Sequence, residues 1–227
     1  MNNPLVSAKK LRKSFGPLVA VDDFSLDIFP GETVGLVGPS GCGKTTVGRM
    51  LVKLYEPDSG TILFDKHNLA NTSGTSLRKL RRKMQIIFQD PYASLNSRMT
   101  VDNIIGEGLE IHRLGCKTER RKRIFELLDL VGLRSNTASR YPHELSGGQC
   151  QRVGIARALA LDPAFIVCDE PLSALDVSVQ AQIVTLLKEL QQELRLTYLF
   201  ISHDIAMVEH LSSKVASMEN GRLLSIK

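Results

Sequence analysis

The sequence predicts an α/β fold built from parallel strand–helix–strand units and interrupted by a helical insertion. Three observations carry that prediction. Short apolar runs at residues 33–37, 84–88, 165–168 and 198–201 have the length and composition of buried strands. Segments of helical period, at 45–54, 76–83 and 177–194, alternate with them. Between about residues 91 and 161 the strand signal gives way to helices alone.

Taken in order, Leu5-Val6, Val19-Ala20-Val21 and Phe24-Ser25-Leu26-Asp27-Ile28 read as short strands, and Phe29-Pro30-Gly31-Glu32 as a tight turn. The run TVGLV at 33–37 is a buried strand; a glycine-rich stretch and a helix over 45–54 follow it at once. Pro57-Asp58-Ser59-Gly60 turns the chain into a small strand over 60–64. A basic helix from 76 to about 83 leads into the strand MQIIF at 84–88. Three helices are expected over 102–114, 118–131 and 149–161. The α/β frame then resumes with a strand at 165–168, an amphipathic helix over 177–194 and a strand at 198–201. There is no internal repeat and no low-complexity linker.

Composition narrows the classes. With 227 residues and 43% hydrophobic side chains, the chain can bury one large core or two small ones. Charged residues at 23% exclude wholesale disorder. No apolar stretch approaches the roughly 18 residues of a membrane span, and the N-terminus lacks the apolar centre of a signal peptide. A soluble, non-secreted chain is expected. The formal net charge of +5 admits a nucleic-acid partner, but four Tyr and no Trp offer little for base stacking. The basic runs RKLRRK (78–83) and RRKR (120–123) suit a solvated helix face, with an anionic membrane surface or a protein partner left open. Cys42, Cys116, Cys150 and Cys168 show neither a C-x-x-C pair nor metal-ligand spacing. Free thiols in a reducing compartment are expected.

The chemistry begins at Gly38-Pro39-Ser40-Gly41-Cys42-Gly43-Lys44-Thr45, which fits G-x-x-x-x-G-K-[ST] between an apolar strand and a helix. Glycines there let successive backbone N–H groups point at phosphate oxygens, with the helix dipole behind them. Lys44 would reach the β- and γ-phosphates and the Thr45 hydroxyl would coordinate Mg2+. A nucleoside triphosphate is the expected ligand. The strand at 165–168 ends in Asp169-Glu170, at the sheet edge where α/β folds bind ligands. Asp169 would hold Mg2+, and Glu170 would polarise a water for attack on the γ-phosphate.

Leu145-Ser146-Gly147-Gly148-Gln149 opens another helix, with Ser146 and Gln149 in capping-box relation. Its start is stripped of side chains and ready for an anion. One nucleotide cannot easily use both sites within a single subunit. A head-to-tail pair could, with each ATP held between the glycine loop of one subunit and the Ser146 site of the other.

Together, GPSGCGKTT (38–46), Gln89, LSGGQ (145–149), FIVCDE (165–170), SALD (173–176) and His203 resemble the ATP-binding subunit of an ABC transporter along essentially the whole chain. The resemblance implies a RecA-like P-loop NTPase core with an antiparallel β-subdomain and an inserted α-helical subdomain. Residues 1–90 and 162–227 would form the core and 91–161 the helical part, in one ATP-binding domain spanning 1–227. Phe15 matches the aromatic that stacks on adenine, and Thr46 completes the phosphate loop. Gln89 matches the glutamine that reaches Mg2+ and the attacking water, and His203 the switch histidine on the γ-phosphate. Ser146, Gly147, Gly148 and Gln149 would close on the nucleotide of the opposing subunit. Residues 173–176 match the segment that communicates between the two sites.

Ile86–Asn96, Ala174–Gln182 and Tyr198–Asp204 are similar to the oligopeptide/dipeptide/nickel import branch, and the chain resembles its F-type partner. The implied assembly holds two membrane permease subunits, a sister ATPase, and indirectly an extracytoplasmic substrate-binding protein, at the cytoplasmic face of the inner membrane, without nucleic acid. A nickel or glutathione importer, or a soluble complex such as carbon–phosphorus lyase, is the alternative. Two departures stand out. Cys150 replaces the Arg or other polar residue usual after the signature, so a contact is expected to be lost. The sequence ends at Lys227 without the branch's usual extension, read as a short member or a truncation. Cys42, expected to be exposed beside a helix N-terminus, is a candidate for inactivation by oxidation or alkylation.

Overall fold

Three of the four apolar runs become strands buried on both faces. The computed structural model describes residues 3–227. In chain order the strands are β1 (Val6–Phe15), β2 (Leu18–Ile28), β3 (Thr33–Val37), β4 (Ser59–Phe64), β5 (His67–Asn68), β6 (Met84–Ile87), β7 (Phe165–Asp169), β8 (Thr197–Ser202), β9 (Lys214–Glu219) and β10 (Arg222–Ile226). The helices are α1 (Lys44–Leu51), α2 (Gly74–Lys83), α3 (Val101–Ile111), α4 (Lys117–Leu130), α5 (Gly147–Leu159), α6 (Val177–Leu194) and α7 (Ile205–Leu211). The chain forms two units: one of residues through Ile86 with 164–170 and 190–227, the other of 87–163 with 171–189.

The first unit holds two sheets. β3, β7 and β8 are buried at every residue and pair in parallel, β3 with β8 and β8 with β7. Burial on both faces is why they read as unbroken apolar runs. β9 adds in parallel beside β3 and β10 closes that edge as a hairpin, giving the order β10-β9-β3-β8-β7-β6. The second sheet is antiparallel, ordered β2-β1-β4-β5. Phe24, Phe64, Leu36, Val47, Met50, Phe165 and Leu199 belong to one fully buried cluster in this unit. Truncating one of its Phe residues to Ala would cost about 3–5 kcal/mol.

The N-terminal hairpin differs from its expected fragments. β1 and β2 run for 10 and 11 residues. Lys10 and Asp23 adopt φ of 50° and 53°, and the register shifts between Ala8 and Leu11. These bulges break the alternation that would have marked two long strands. α7 and the β9–β10 hairpin lie outside the elements expected from sequence, and Asn220 and Gly221, with φ of 47° and 80°, form the turn between the two strands.

The second unit is helical. α5 is buried nearly all round from Cys150 onward, with Cys150, Val153, Ile155, Ala156 and Leu159 among its buried side chains. A Cβ on Gly106 of α3 would lie 3.1 Å from Ile124 Cδ1 of α4, so glycine permits that close approach. Arginines tie the periphery to backbone: Arg152 donates to the Val131 carbonyl and Arg157 to that of Ser94, each at 2.6 Å. Among the described residues no helix is long and apolar enough to cross a membrane.

Candidate functional site

The loop between β3 and α1 is shaped by glycine. Gly43 has φ of 107°, and a Cβ there would stand 2.2 Å from the Ala20 carbonyl oxygen. Only glycine makes that bend against backbone. Gly43 also occupies the N-cap of α1 without a side-chain cap, which leaves the first N–H groups of the helix open to an anion. The crest of the loop, Pro39, Ser40 and Gly41, is exposed; Gly38, Thr45 and Thr46 are half-buried.

Lys44 is 4% exposed and folds back beneath the loop. Its ammonium donates to the carbonyls of Gly38 at 2.8 Å and Pro39 at 2.9 Å. An ammonium has three donors; the third makes only a long contact to Cys42 Sγ at 3.9 Å, with Glu170 Oε1 4.0 Å away.

Asp169 ends β7 and is 1% exposed. The Thr45 hydroxyl donates to its Oδ1 at 2.7 Å, and Arg49 Nε faces Oδ2 at 3.8 Å. Oδ2 and Arg49 Nε are buried without a hydrogen-bond partner. Burial raises the proton affinity of the carboxyl, against the opposing pull of the Thr45 hydrogen bond and the Arg49 charge.

Glu170 leaves the strand in the left-handed region, at φ 46°, with its N–H bonded to the Ile201 carbonyl at 3.0 Å. A non-glycine residue held there costs of order 1–3 kcal/mol, strain that clusters at functional positions. Its carboxylate reaches His203, with Oε2 3.6 Å from Nδ1. His203 follows β8 and is 60% exposed. The structure thus gathers Lys44, Thr45, Asp169, Glu170 and His203 around one sheet edge in the first unit.

Phe15, also in this unit, is 44% exposed at the end of β1. Tyr55 meets its ring edge-on, with centroids 5.6 Å apart and planes at 71°. Lys13 Nζ lies 5.6 Å from the ring centre. Sequence reasoning missed Arg49 and Tyr55. The signal available for Arg49 was its place four residues after Thr45, on the same helix face.

Gln89 and Ser146–Gln149 belong to the second unit. Gln89 is exposed just beyond β6. Ser146 caps α5 reciprocally with Gln149: the Gln149 N–H donates to Ser146 Oγ at 3.3 Å and the Ser146 N–H to Gln149 Oε1 at 3.0 Å. A Cβ on Gly148 would lie 2.6 Å from Val179 Cγ1, so Gly148 lets the start of α5 sit close to α6.

Two cysteine expectations need correction. Cys42 is 7% exposed, not open to solvent: the loop turns its backbone outward and packs this side chain into the core cluster. Cys150 points into the second unit, where its thiol donates to the Pro142 carbonyl at 3.4 Å. It fills helix interior rather than leaving a surface contact unmade.

The parallel strands β3, β7 and β8 deliver these groups to the carboxyl ends of the sheet, where α/β folds bind nucleotides. The class so defined is the phosphate-loop nucleoside triphosphatases. Comparison narrows it. The model of the family described as ABC transporter matches residues 21–173. The oligopeptide transport ATP-binding protein OppF of Bacillus subtilis is 56% identical over all of this chain and 76% of its own length. That of Streptococcus mutans is 54% identical over 91% of this chain and 68% of its own. Among solved structures, cbiO1 of Clostridium perfringens, part of the transporter complex cbiONQ, superposes with a TM-score of 0.88 at 30% identity, covering 99% of this chain and 88% of that one. The cassette MJ0796, solved as a dimer in a post-hydrolysis state bound to ADP and Pi, gives 0.88 at 32%, covering 98% and 97%. The chain belongs to the ABC transporter family, as an ATP-binding and ATP-hydrolysing subunit.

Proposed function

We propose that this subunit energises peptide import through a membrane permease, bound peripherally at the cytoplasmic face of the membrane. The observation that carries the peptide assignment is the 56% identity with an oligopeptide transport ATP-binding protein across the full chain. Peptide import names recur among further relatives at 52% identity. The permease, a second ATPase chain and an external substrate-binding protein are its proposed partners.

The site residues take the following roles. Lys44 and the open N–H groups of α1 bind the phosphates. Phe15 supplies an exposed aromatic face for adenine. Thr45 and Asp169 offer hard oxygen donors, the chemistry a magnesium ion takes. Among the described residues no group of three or more His, Cys, Asp or Glu could hold a metal ion by itself, so bound phosphates would complete the coordination. When bound, magnesium neutralises charge developing on the β- and γ-phosphate oxygens. Glu170 orients the attacking water and accepts its proton, and His203 steadies both Glu170 and the γ-phosphate. Lys44, held by Gly38 and Pro39, keeps a fixed positive charge where negative charge grows. Ser146–Gln149 would present the capped start of α5 to the nucleotide of the opposing subunit, and MJ0796, solved as a dimer, supports such a pairing.

Reconstitution with co-expressed permease subunits in proteoliposomes tests the assignment. ATP-dependent peptide uptake, abolished by Glu170→Gln, is the expected result. Uptake of nickel or glutathione without peptide would overturn the substrate class. Light scattering of Glu170→Gln with Mg2+ and ATP addresses the partner: the mass of two chains means a homodimer suffices, and that of one chain calls for the sister ATPase.

A further inference from the structure

We infer that Arg49 is a positioning residue that holds the metal-binding carboxylate Asp169 and, through Tyr55, the base platform Phe15 in register. The inference rests on the roles proposed above for Asp169 and Phe15. Thr45 and Arg49 stand one turn apart on α1, and both address Asp169, one carboxylate oxygen each: 2.7 Å from Thr45 Oγ1 to Oδ1 and 3.8 Å from Arg49 Nε to Oδ2. Both atoms of the second contact are buried and have no hydrogen-bond partner. The other end of the guanidinium turns away from the carboxylate. Its NH1 donates to the Tyr55 hydroxyl at 3.1 Å, and its carbon lies 5.7 Å from the centre of the Tyr55 ring.

The Arg49 backbone adds to the bracket. Its carbonyl accepts from the N–H groups of Leu54, at 2.8 Å, and Tyr55, at 3.3 Å, which fixes the chain as it leaves α1. Tyr55 then meets Phe15 edge-on at 5.6 Å. On the far side Asp58 holds β1 in place, through Lys13 at 2.9 Å and the Ser14 N–H at 2.6 Å. Phe15 is therefore braced from two directions, and the Tyr55 side leads back through one guanidinium to Asp169.

The competing account is simpler: Arg49 is a cation in the last turn of α1, favourable to the helix dipole. Lysine would serve that purpose equally well. It lacks the planar fork that donates to a hydroxyl and faces a carboxylate at once.

Calorimetric titration with ATP and with inorganic tripolyphosphate, each with and without Mg2+, separates the two jobs. The ratio of ATP to tripolyphosphate affinity reads the base platform, and the enhancement by Mg2+ reads the carboxylate. Arg49→Met is expected to lower the Mg2+ enhancement roughly ten- to hundredfold. It should also lower the ATP preference, by up to roughly tenfold. Tyr55→Phe should reduce the ATP preference alone and leave the Mg2+ enhancement intact, and because it removes one oxygen it guards against a folding failure of the first variant. Arg49→Lys should restore the Mg2+ enhancement but not the ATP preference.

Wild-type ratios in Arg49→Met and Tyr55→Phe, or full rescue of both by lysine, would overturn the inference. Phe15→Ala is the control on the underlying reading. If it leaves the ATP preference untouched, Phe15 is not the base platform and the base half of the inference falls with it. The carboxylate half is then decided by Arg49→Met alone.

Discussion

The Thr45 hydroxyl donates to Asp169 Oδ1 across 2.7 Å, joining the helix after the glycine loop to the end of a fully buried strand. The two residues are 124 positions apart in sequence. Their contact makes the phosphate loop and the acidic strand end one site.

Removing that hydroxyl should be felt twice. Thr45→Val leaves a buried carboxylate oxygen without its donor, at a cost of about 1–3 kcal/mol in a urea titration. It should also raise the Mg2+ needed for half-maximal ATP turnover roughly ten- to hundredfold. An unchanged Mg2+ requirement would remove Thr45 from the metal site.

The two neighbouring loop glycines should differ sharply in tolerance. At Gly43, with φ of 107°, a Cβ would press to 2.2 Å on the Ala20 carbonyl oxygen, and Gly43→Ala is expected to cost about 3 kcal/mol or more. At Gly41, with φ of 78°, nothing lies within 4 Å of the added carbon, so Gly41→Ala should cost only backbone strain, about 1–2 kcal/mol. Equal losses in denaturant would contradict this description of the loop.

Thiol labelling checks the corrected cysteines. Cys116 is exposed, whereas Cys42, Cys150 and Cys168 are buried. Alkylation needs the thiolate, and burial pushes the Cys150 thiol up to about 11 and Cys168 higher still. At pH 8 both therefore stay protonated and inert, and reactivity returns only as pH approaches their raised values or the chain unfolds. Mass spectrometry after brief alkylation at pH 8 should find one label per chain, on Cys116. Modification of Cys42 at a comparable rate would restore the exposed-loop reading.

Much of the frame was legible because β3, β7 and β8 are buried on both faces and so read as unbroken apolar runs. The N-terminal sheet was less so, because bulges at Lys10 and Asp23 interrupt the alternation of β1 and β2. The β9–β10 hairpin does carry a sequence signal: Asn220-Gly221 between two short runs is a strong hairpin marker. At the site, Lys44, Thr45, Asp169 and Glu170 could be named from motif and context. Their meeting could not, since it depends on strand order. Arg49 and Tyr55 carry no motif, because the groups they meet, Asp169 and Phe15, come within reach only once α1 has packed against β7 and β1. Cys42 was misread since spacing within a loop does not say which way a side chain turns.

In the proposed division of labour, Glu170 performs the hydrolytic step while Lys44 and the loop hold the nucleotide. Measuring ATP affinity and steady-state turnover side by side for wild type and Glu170→Gln tests it most directly. ATP affinity within a few-fold of wild type, with turnover reduced by about 10²–10⁴, is the predicted result. Turnover at the wild-type rate in a variant that still binds ATP would contradict it.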